Sequence, residues 1–344
     1  MVKAGHERVV FCHDERTSLS AIIAIHSTVL GPALGGCRWW PYRNEDDALD
    51  DVLRLSKAMT YKNAAAGLDL GGGKSVIIGD PAGRRHPDML RSFAECVEAL
   101  GGRYITAEDV GMSLEALEEI GRYTKYVCGL PHGSGSPSPA TAYGVYVGMK
   151  VCSEEVFGSP DLSGRTVAIQ GLGHVGYSLA RRLREDGTKV IACDIASFRA
   201  AKAAEELDVT CVPPEDIFSV KCDIFAPCAL GGAINPDTVK KLRCSVVAGS
   251  ANNQLSEPDM AWVLMERGIL YAPDFLINAG GVINIADEIE HGSYSRERAF
   301  RRVESIAQRL RQVFRISRER NIPTADAALM LADERLRAKR DSTE

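Results

Sequence analysis

Short apolar runs and amphipathic stretches alternate along this chain, and their periods set the first expectations. Residues 8–12 and 20–26 read as strands parted by the polar turn Asp14-Glu15-Arg16-Thr17. After Asn44, a side chain suited to capping a helix, Ala48, Val52, Leu55 and Met59 recur at the spacing of one helical face. That helix is expected to carry Lys62 at or just past its C-terminal end. Residues 75–78 read as a short buried strand, 87–100 as an amphipathic helix, and 103–106 as a strand running into Ala107-Glu108-Asp109-Val110-Gly111. Residues 131–139 are rich in proline, glycine and serine and predict a hinge between two domains. Beyond it a helix is expected over about 141–156, then strands at 166–170, 189–193, 210–212, 222–226, 245–248 and 269–272 with helices between them. Such alternation predicts a parallel, doubly wound sheet, with ligands beyond the carboxyl ends of its strands. Helices over about 295–319 and 324–338 carry many arginines and glutamates, a pattern suited to a solvated face or a subunit contact.

The sharpest local signal is a nucleotide site. The strand at 166–170 leads directly into Gly171-Leu172-Gly173-His174-Val175-Gly176, then a helix, then a strand ending in Asp194. The acid follows the first glycine at about the 20-residue offset of a dinucleotide-binding unit. Pyrophosphate would rest on the helix N-terminus, where free N–H groups and the dipole favour anions. Asp194 would bind the ribose hydroxyls and repel a 2′-phosphate, favouring NAD over NADP. Three further stretches fall on the same rim: 227–232, with Cys228 and Ala229; 249–254, with Ala251, Asn252 and Asn253; and 278–285, with Asn278, Val282 and Ile285.

Residues 59–80 hold a second candidate. Lys62 and Lys74 have no adjacent acid and stand among small or apolar residues, with Gly71-Gly72-Gly73 before Lys74. An ammonium stripped of water in such surroundings shifts toward neutrality and can serve as a base. The same residues are also compatible with a glycine-rich turn and two solvated lysines. The glycine- and aromatic-rich segment 30–40 suits backbone lining a pocket, or alternatively a hairpin turn.

Composition narrows the field. The 344 residues suffice for two cores, and 45% apolar with 25% charged residues is ordinary for a globular protein. A net charge of −5 argues against nucleic acid or an anionic membrane as partner, and no apolar run is long enough to span a bilayer. The N-terminal residues lack the apolar core of a signal peptide, so a cytoplasmic location is expected. Ten cysteines show no CxxC pair and seven histidines no HxxxH or HExxH pair, so no metal is expected.

Several motifs together resemble the amino-acid dehydrogenases acting on glutamate, leucine, phenylalanine and valine. They are LGPALGG (30–36), MTYKNAAAGLDLGGGKSVIIGDP (59–81), GRYITAEDVG (102–111), SPSPATAYGVYVGMK (136–150), QGLGHVG (170–176), FAPCALGG (225–232), AGSANNQL (248–255) and GILYAPDFLINAGGVINIADE (268–288). The resemblance implies two α/β domains. A substrate domain with a mixed sheet would span 1–135, joined by the C-terminal helix at 324–344. A Rossmann NAD domain would span 138–323, with catalysis in the cleft between the two.

It further implies that Lys62 holds the substrate carboxylate, Lys74 activates water, and Asp109 moves protons to and from the amino group. Asn253 matches a substrate-side asparagine. Thr141, residues 171–176, Asp194, Cys228, Ala229, Ala251 and Asn252 match the coenzyme site, with Asn278 on its rim. Leu34, Ala107, Val282 and Ile285 would form an apolar side-chain pocket, completed by Gly35, Gly36 and Met59, in which a second carboxylate would go unpaired. The expected reaction is NAD-dependent oxidative deamination of a branched aliphatic L-amino acid, leucine first, to the 2-oxo acid and ammonium. A valine- or phenylalanine-preferring enzyme of the same family is the alternative. A non-catalytic NAD-binding regulator would not need both lysines and Asp109, and a pyridoxal phosphate enzyme would leave the glycine loop without a role. Ends and a 128–136 loop shorter than the resemblance leads one to expect favour a homodimer over an octamer.

Overall fold

Strand β2 (Leu19–Ser27) is apolar on both faces, and the first of two units is built around it. The computed structural model describes residues 5–82 and 87–342. The first unit takes the chain up to Ser136, then Ile285–Arg296, then the stretch from Ala332 on; the second takes Pro137–Asn284 and Glu297–Leu331. β1 (Arg8–Asp14) and β2 form an antiparallel hairpin, and the Asp14 carboxylate pins its turn by accepting from the Arg16 N–H at 3.0 Å. β2 then pairs antiparallel with β5 (Gly71–Ile78). Segment 30–40 forms no hairpin: β3 (Ala33–Leu34) and β4 (Cys37–Trp40) each run parallel to β5, one after the other along it. β6 (Tyr104–Ile105) pairs with β3, which completes a mixed sheet.

Successive side chains of a strand point to opposite faces. Leu19, Ala21, Ile23 and Ile25 pack in one core with Phe93 of α2 (Pro87–Glu98) and Leu117 of α3 (Leu114–Gly121). Ile22 and Ala24 pack in another with Ala48 and Val52 of α1 (Glu45–Ala65). Burial on both sides is why β2 reads as an almost unbroken apolar run.

Helix α1 starts where expected, with the Asn44 side chain accepting from the Asp47 N–H at 2.8 Å. Its buried stripe, however, runs through Ala48, Val52, Ser56, Thr60 and Asn63, while Leu55 and Met59 are half-buried. Each polar member has a partner. Ser56 bonds the His6 ring at 2.9 Å, Thr60 bonds the His26 ring at 2.9 Å, and Asn63 donates to the Gly71 carbonyl at 2.6 Å. Lys62 lies in the last turn of α1, at the C-terminal end where expected.

The three glycines before Lys74 belong to β5 and form no turn. A Cβ on Gly72 would sit 2.1 Å from the Thr60 nitrogen, and one on Gly71 2.1 Å from the Ser27 carbonyl oxygen. Only strand residues without side chains let α1 lie this close.

In the second unit six strands pair parallel throughout, in the order β12-β11-β10-β7-β8-β9. They are β7 (Thr166–Gln170), β8 (Lys189–Cys193), β9 (Thr210–Cys211), β10 (Ile224–Pro227), β11 (Val246–Val247) and β12 (Leu270–Tyr271). Helices α4 (Ser138–Phe157) and α5 (His174–Glu185) pack together, with α6 (Ser197–Leu207) and α7 (Asp259–Glu266) farther along. One core joins Phe225, Val247, Leu264 and Tyr271.

The stretch 278–285, expected as a loop, is largely helical: α8 (Asp274–Ile277) is followed by α9 (Gly280–His291). A Cβ on Gly280 would meet the Ala140 carbonyl oxygen at 2.1 Å, so this glycine permits α9 to touch α4. Residues 285–296, which the hinge reading leaves in the second unit, belong to the first, where Glu288 accepts from the Ser134 N–H at 2.9 Å and its hydroxyl at 2.6 Å. The chain ends in α10 (Arg296–Val303), α11 (Ser305–Arg320) and α12 (Thr324–Asp341). Residues 324–331, expected with the first unit, belong to the second, where the Thr324 hydroxyl donates to the Tyr271 carbonyl at 2.6 Å. Among the described residues no helix is long and apolar enough to cross a membrane.

Candidate active site

Lys74 is the fourth residue of β5, and its side chain is 6% exposed. No acid adjoins it in the sequence, but the fold supplies one. Asp109, in the loop after β6, accepts from the Lys74 ammonium through Oδ2. Its Oδ1 accepts from Arg38 Nε at 3.2 Å and from the Val110 N–H at 2.7 Å. Arg38, on β4, also donates to Asp51 at 2.8 Å, and Asp51 accepts from the Tyr42 hydroxyl at 2.7 Å. Asp109 is thus gripped by two cations. Burial works to raise its carboxyl, but Lys74 and Arg38 outweigh that and hold it down to about 2. It is ionised at neutral pH.

Glycines make this approach possible. A Cβ on Gly35 would meet the Gly73 carbonyl oxygen at 1.8 Å, and one on Gly36 would meet Asp109 Cβ at 2.9 Å. The β3–β4 link therefore lies flat against both the Lys74 strand and the Asp109 loop. The Cys37 and Trp39 N–H groups hold that loop by donating to the Ala107 and Val110 carbonyls, each at 2.9 Å. Leu34 stands in register with Gly72 and Ile105 and is 1% exposed; Ala107 is buried too. Ile285 is buried in the same unit, with its Cδ1 4.0 Å from where a Cβ on Gly129 would be. Lys62 and Met59 are half-buried on α1, which packs across β5.

In the second unit the glycine loop has one task per glycine. Gly171 has φ +98°, and a Cβ there would press on Ala229 at 2.9 Å. A Cβ on Gly176 would meet the Gly171 carbonyl oxygen at 2.0 Å, which fixes how closely α5 abuts β7. Gly173 faces open space and caps α5 without a side-chain bond, with Leu172 buried before it and His174 and Val175 opening the helix. The first N–H groups of α5 are thus left for an anion. Asp194 accepts from the Leu172 N–H at 2.7 Å and the Ala196 N–H at 2.8 Å, with Arg199 at 3.9 Å.

The remaining rim loops are tied together. Cys228 N–H donates to the Gln170 carbonyl, Ala251 N–H to the Pro227 carbonyl and Gly232 N–H to the Asn253 carbonyl. Asn253 has φ +50°, a left-handed conformation that asparagine tolerates better than most residues. Asn278 donates to Ser250 and to Asn252 at 3.1 and 2.8 Å, and Thr141 donates to the Pro137 carbonyl at 3.0 Å. Buried Oδ1 of Asn278 and Oε1 of Gln170 accept nothing from the described residues. Together with the uncapped helix and the open side of Gly173, they fit a dinucleotide rather than a closed protein core.

Val282 is buried on the first turn of α9. Arg38 and Glu288 escaped the sequence reading. Arg38 lies within the glycine-rich stretch, but its partner is 71 positions away. Glu288 lies within a quoted motif, yet nothing local marks it as the clamp on residues 129–134.

Comparison with known proteins places both units. The model of the Glu/Leu/Phe/Val dehydrogenase dimerisation domain matches residues 6–126, and that of the glutamate/leucine/phenylalanine/valine dehydrogenases matches 133–198 and 195–343. Leucine dehydrogenase of Geobacillus stearothermophilus is 53% identical over 97% of this chain and 92% of its own length. Phenylalanine dehydrogenase of Lysinibacillus sphaericus is 47% identical over 94% of this chain and 87% of its own. The crystal structure of L-tryptophan dehydrogenase from Nostoc punctiforme superposes with a TM-score of 0.87 at 42% identity, covering 98% of each chain. On these matches, which run from the first strand to the last helix, the chain belongs to the glutamate/leucine/phenylalanine/valine dehydrogenases, enzymes that use a nicotinamide coenzyme.

Proposed function

We propose that this chain catalyses the NAD-dependent, reversible oxidative deamination of L-leucine and other branched-chain L-amino acids to the 2-oxo acid and ammonium. The observation that carries the chemistry is the pairing of buried Lys74 with half-buried Asp109, which Arg38 holds. The nicotinamide, when bound, accepts the hydride that leaves the substrate Cα. When the coenzyme is bound, the N–H groups at the start of α5 would hold its pyrophosphate and Asp194 its ribose, with Asn278 and Thr141 also in its site. Lys62 pairs with the α-carboxylate. Asp109 enters ionised, so it takes the first proton from the substrate ammonium. With Asp109 protonated its hold on the Lys74 ammonium is lost, so Lys74 releases its proton to solvent and, as the free amine, takes one from the water that adds to the iminium carbon. Asp109 returns its proton to the amine, the C–N bond breaks, and the hydroxyl oxygen becomes the carbonyl as its proton passes to the departing ammonia, which leaves as ammonium.

The apolar residues Leu34, Ala107 and Ile285 of the first unit support an aliphatic side chain as the second specificity element. A distal carboxylate among them would be unpaired, at a cost of several kcal/mol. One methylene is worth only about 1–3 kcal/mol, so valine and isoleucine should also turn over. Asp194, fixed by two backbone N–H groups, supports NAD over NADP.

A panel of L-amino acids with NAD and NADP tests the reading. The expected result is a kcat/KM for leucine well above that for phenylalanine, tryptophan or glutamate, and for NAD above NADP. Parity with an aromatic or acidic substrate would refute the pocket assignment. The composition and family support a cytoplasmic homo-oligomer, with the dimer favoured over an octamer; light scattering on a sizing column distinguishes the two.

A further inference from the structure

Two cysteines outside both sites stand side by side on neighbouring strands. The ladder between β10 and β11 starts ahead of the strands proper, with Lys221 opposite Arg243, and continues to Ile224 opposite Val246. Cys222 and Cys244 share that register, so they face each other on the same side of the sheet, both half-buried against the same core. The Cys222 N–H donates to the Arg243 carbonyl at 3.3 Å and the Ser245 N–H to the Asp223 carbonyl at 3.1 Å, so the backbone holds the pair. Adjacent strands lie about 4.8 Å apart, inside the Cα separation of about 4.4–6.8 Å that a disulfide bridges.

The neighbouring Cys222 thiol, with the backbone N–H groups of Phe225 and Val246 and the Arg267 guanidinium, draws the Cys244 thiol below its ordinary value, against its burial. Arg267 is held at the spot by donating to the Leu242 carbonyl at 2.9 Å. The Cys222 thiol is raised by its Cys244 neighbour and by burial. Attacking and resolving sulfur are thus distinguished.

We infer that Cys222 and Cys244 form a peroxide-responsive dithiol that closes reversibly to a disulfide, at the ends of β10 and β11 opposite the coenzyme rim. The Cys244 thiolate attacks one oxygen of hydrogen peroxide. An S–O bond forms, the O–O bond breaks, and hydroxide leaves to become water, giving a sulfenic acid. The Cys222 sulfur then attacks Cys244 as its proton departs. The S–S bond forms, the S–O bond breaks, and a second water leaves. Two thiols and one peroxide give one disulfide and two waters, and a dithiol reductant reverses the change.

The test uses the full chain, treated with hydrogen peroxide near stoichiometry, quenched with N-ethylmaleimide and digested without reductant. The expected product is a cross-linked peptide joining Cys222 to Cys244 that dithiothreitol dissolves. In Cys222→Ser the sulfenic acid on Cys244 should persist and add dimedone. Recovery of both cysteines of the unsubstituted chain as maleimide adducts, or of Cys244 oxidised without the cross-link, would overturn the assignment. That measurement holds even if the variant does not fold.

Discussion

Lys74 and Asp109 meet as a charged pair, so each governs what the other can do. Lys74→Ala removes the proposed proton acceptor from water, a role worth about 10²–10⁴-fold in kcat. NADH binding, measured by fluorescence titration, should be unchanged, since the glycine loop and Asp194 are untouched; a kcat within tenfold of the parent would exclude Lys74 as base. Asp109 also stabilises the fold. Its folded value of about 2 lies below its ordinary 3.8, so the contribution is complete above pH 3.8 and is lost as pH falls through about 2. The difference is worth about 2 kcal/mol at neutral pH. Asp109→Asn should therefore lose about that much in urea unfolding at pH 7, and the gap to the parent should narrow as pH falls below 4. Arg38 acts one step back, by aiming the Asp109 carboxylate. Arg38→Lys keeps a charge but not the two-armed reach to Asp109 and Asp51, so kcat should fall up to about 100-fold, with the KM for NAD unchanged. Lysines among glycines could be singled out from the chain alone because an ammonium in apolar surroundings is chemically odd. The partnership with Asp109 could not, because it spans 35 positions and arises only when β3, β5 and the loop after β6 lie side by side.

Helix α1 and strand β5 show where periodicity succeeds and where it fails. The Asn44 cap and the helix behind it were readable, since both depend on neighbours in sequence. The length of β5 was not, because a run of three glycines looks like a turn until something is seen to press on it. Thr60 leaves no room for a Cβ on Gly72, and a Cβ on Gly73 would meet the Tyr104 ring at 2.7 Å. The polar stripe of α1 was hidden for the related reason that its bonds reach His6, His26 and β5. Two alanine substitutions separate packing glycines from ligand-facing ones. Gly72→Ala puts a carbon 2.1 Å from the Thr60 backbone, so α1 must shift. The cost should be about 1–3 kcal/mol or more, seen as a lower Tm, and the KM for the amino acid should rise as Lys62 moves. Gly173→Ala meets no protein atom within 4 Å, so Tm should hold while NAD binding weakens. If both variants lowered Tm alike, the open side of Gly173 would have no claim as a coenzyme surface.

At the scale of the whole chain, the compositional break at residues 131–139 was visible because proline, glycine and serine mark linkers wherever they cluster. The return of the chain to the first unit was not, because it depends on contacts across great sequence distance. Glu288 reaches back 154 positions to clamp Ser134. Arg335 of α12 reaches back 267 positions to the Leu68 carbonyl, and its other nitrogen donates to Asp69 at 2.7 Å. Leu68 is fully buried at the turn between α1 and β5, so water cannot replace that donor. The first unit is therefore assembled from three pieces, and residues 1–136 expressed alone lack two of them. Arg335→Ala, which leaves a buried carbonyl without its donor, should cost about 1–3 kcal/mol. In hydrogen exchange the loss should appear as faster exchange at residues 64–74, the stretch that carries Lys74, before any change in the parallel sheet. The isolated 1–136 segment should show no cooperative thermal transition by circular dichroism. A sharp transition there would mean that the hairpin, α1 and β5 suffice by themselves, and that the returning helices only decorate a unit already complete.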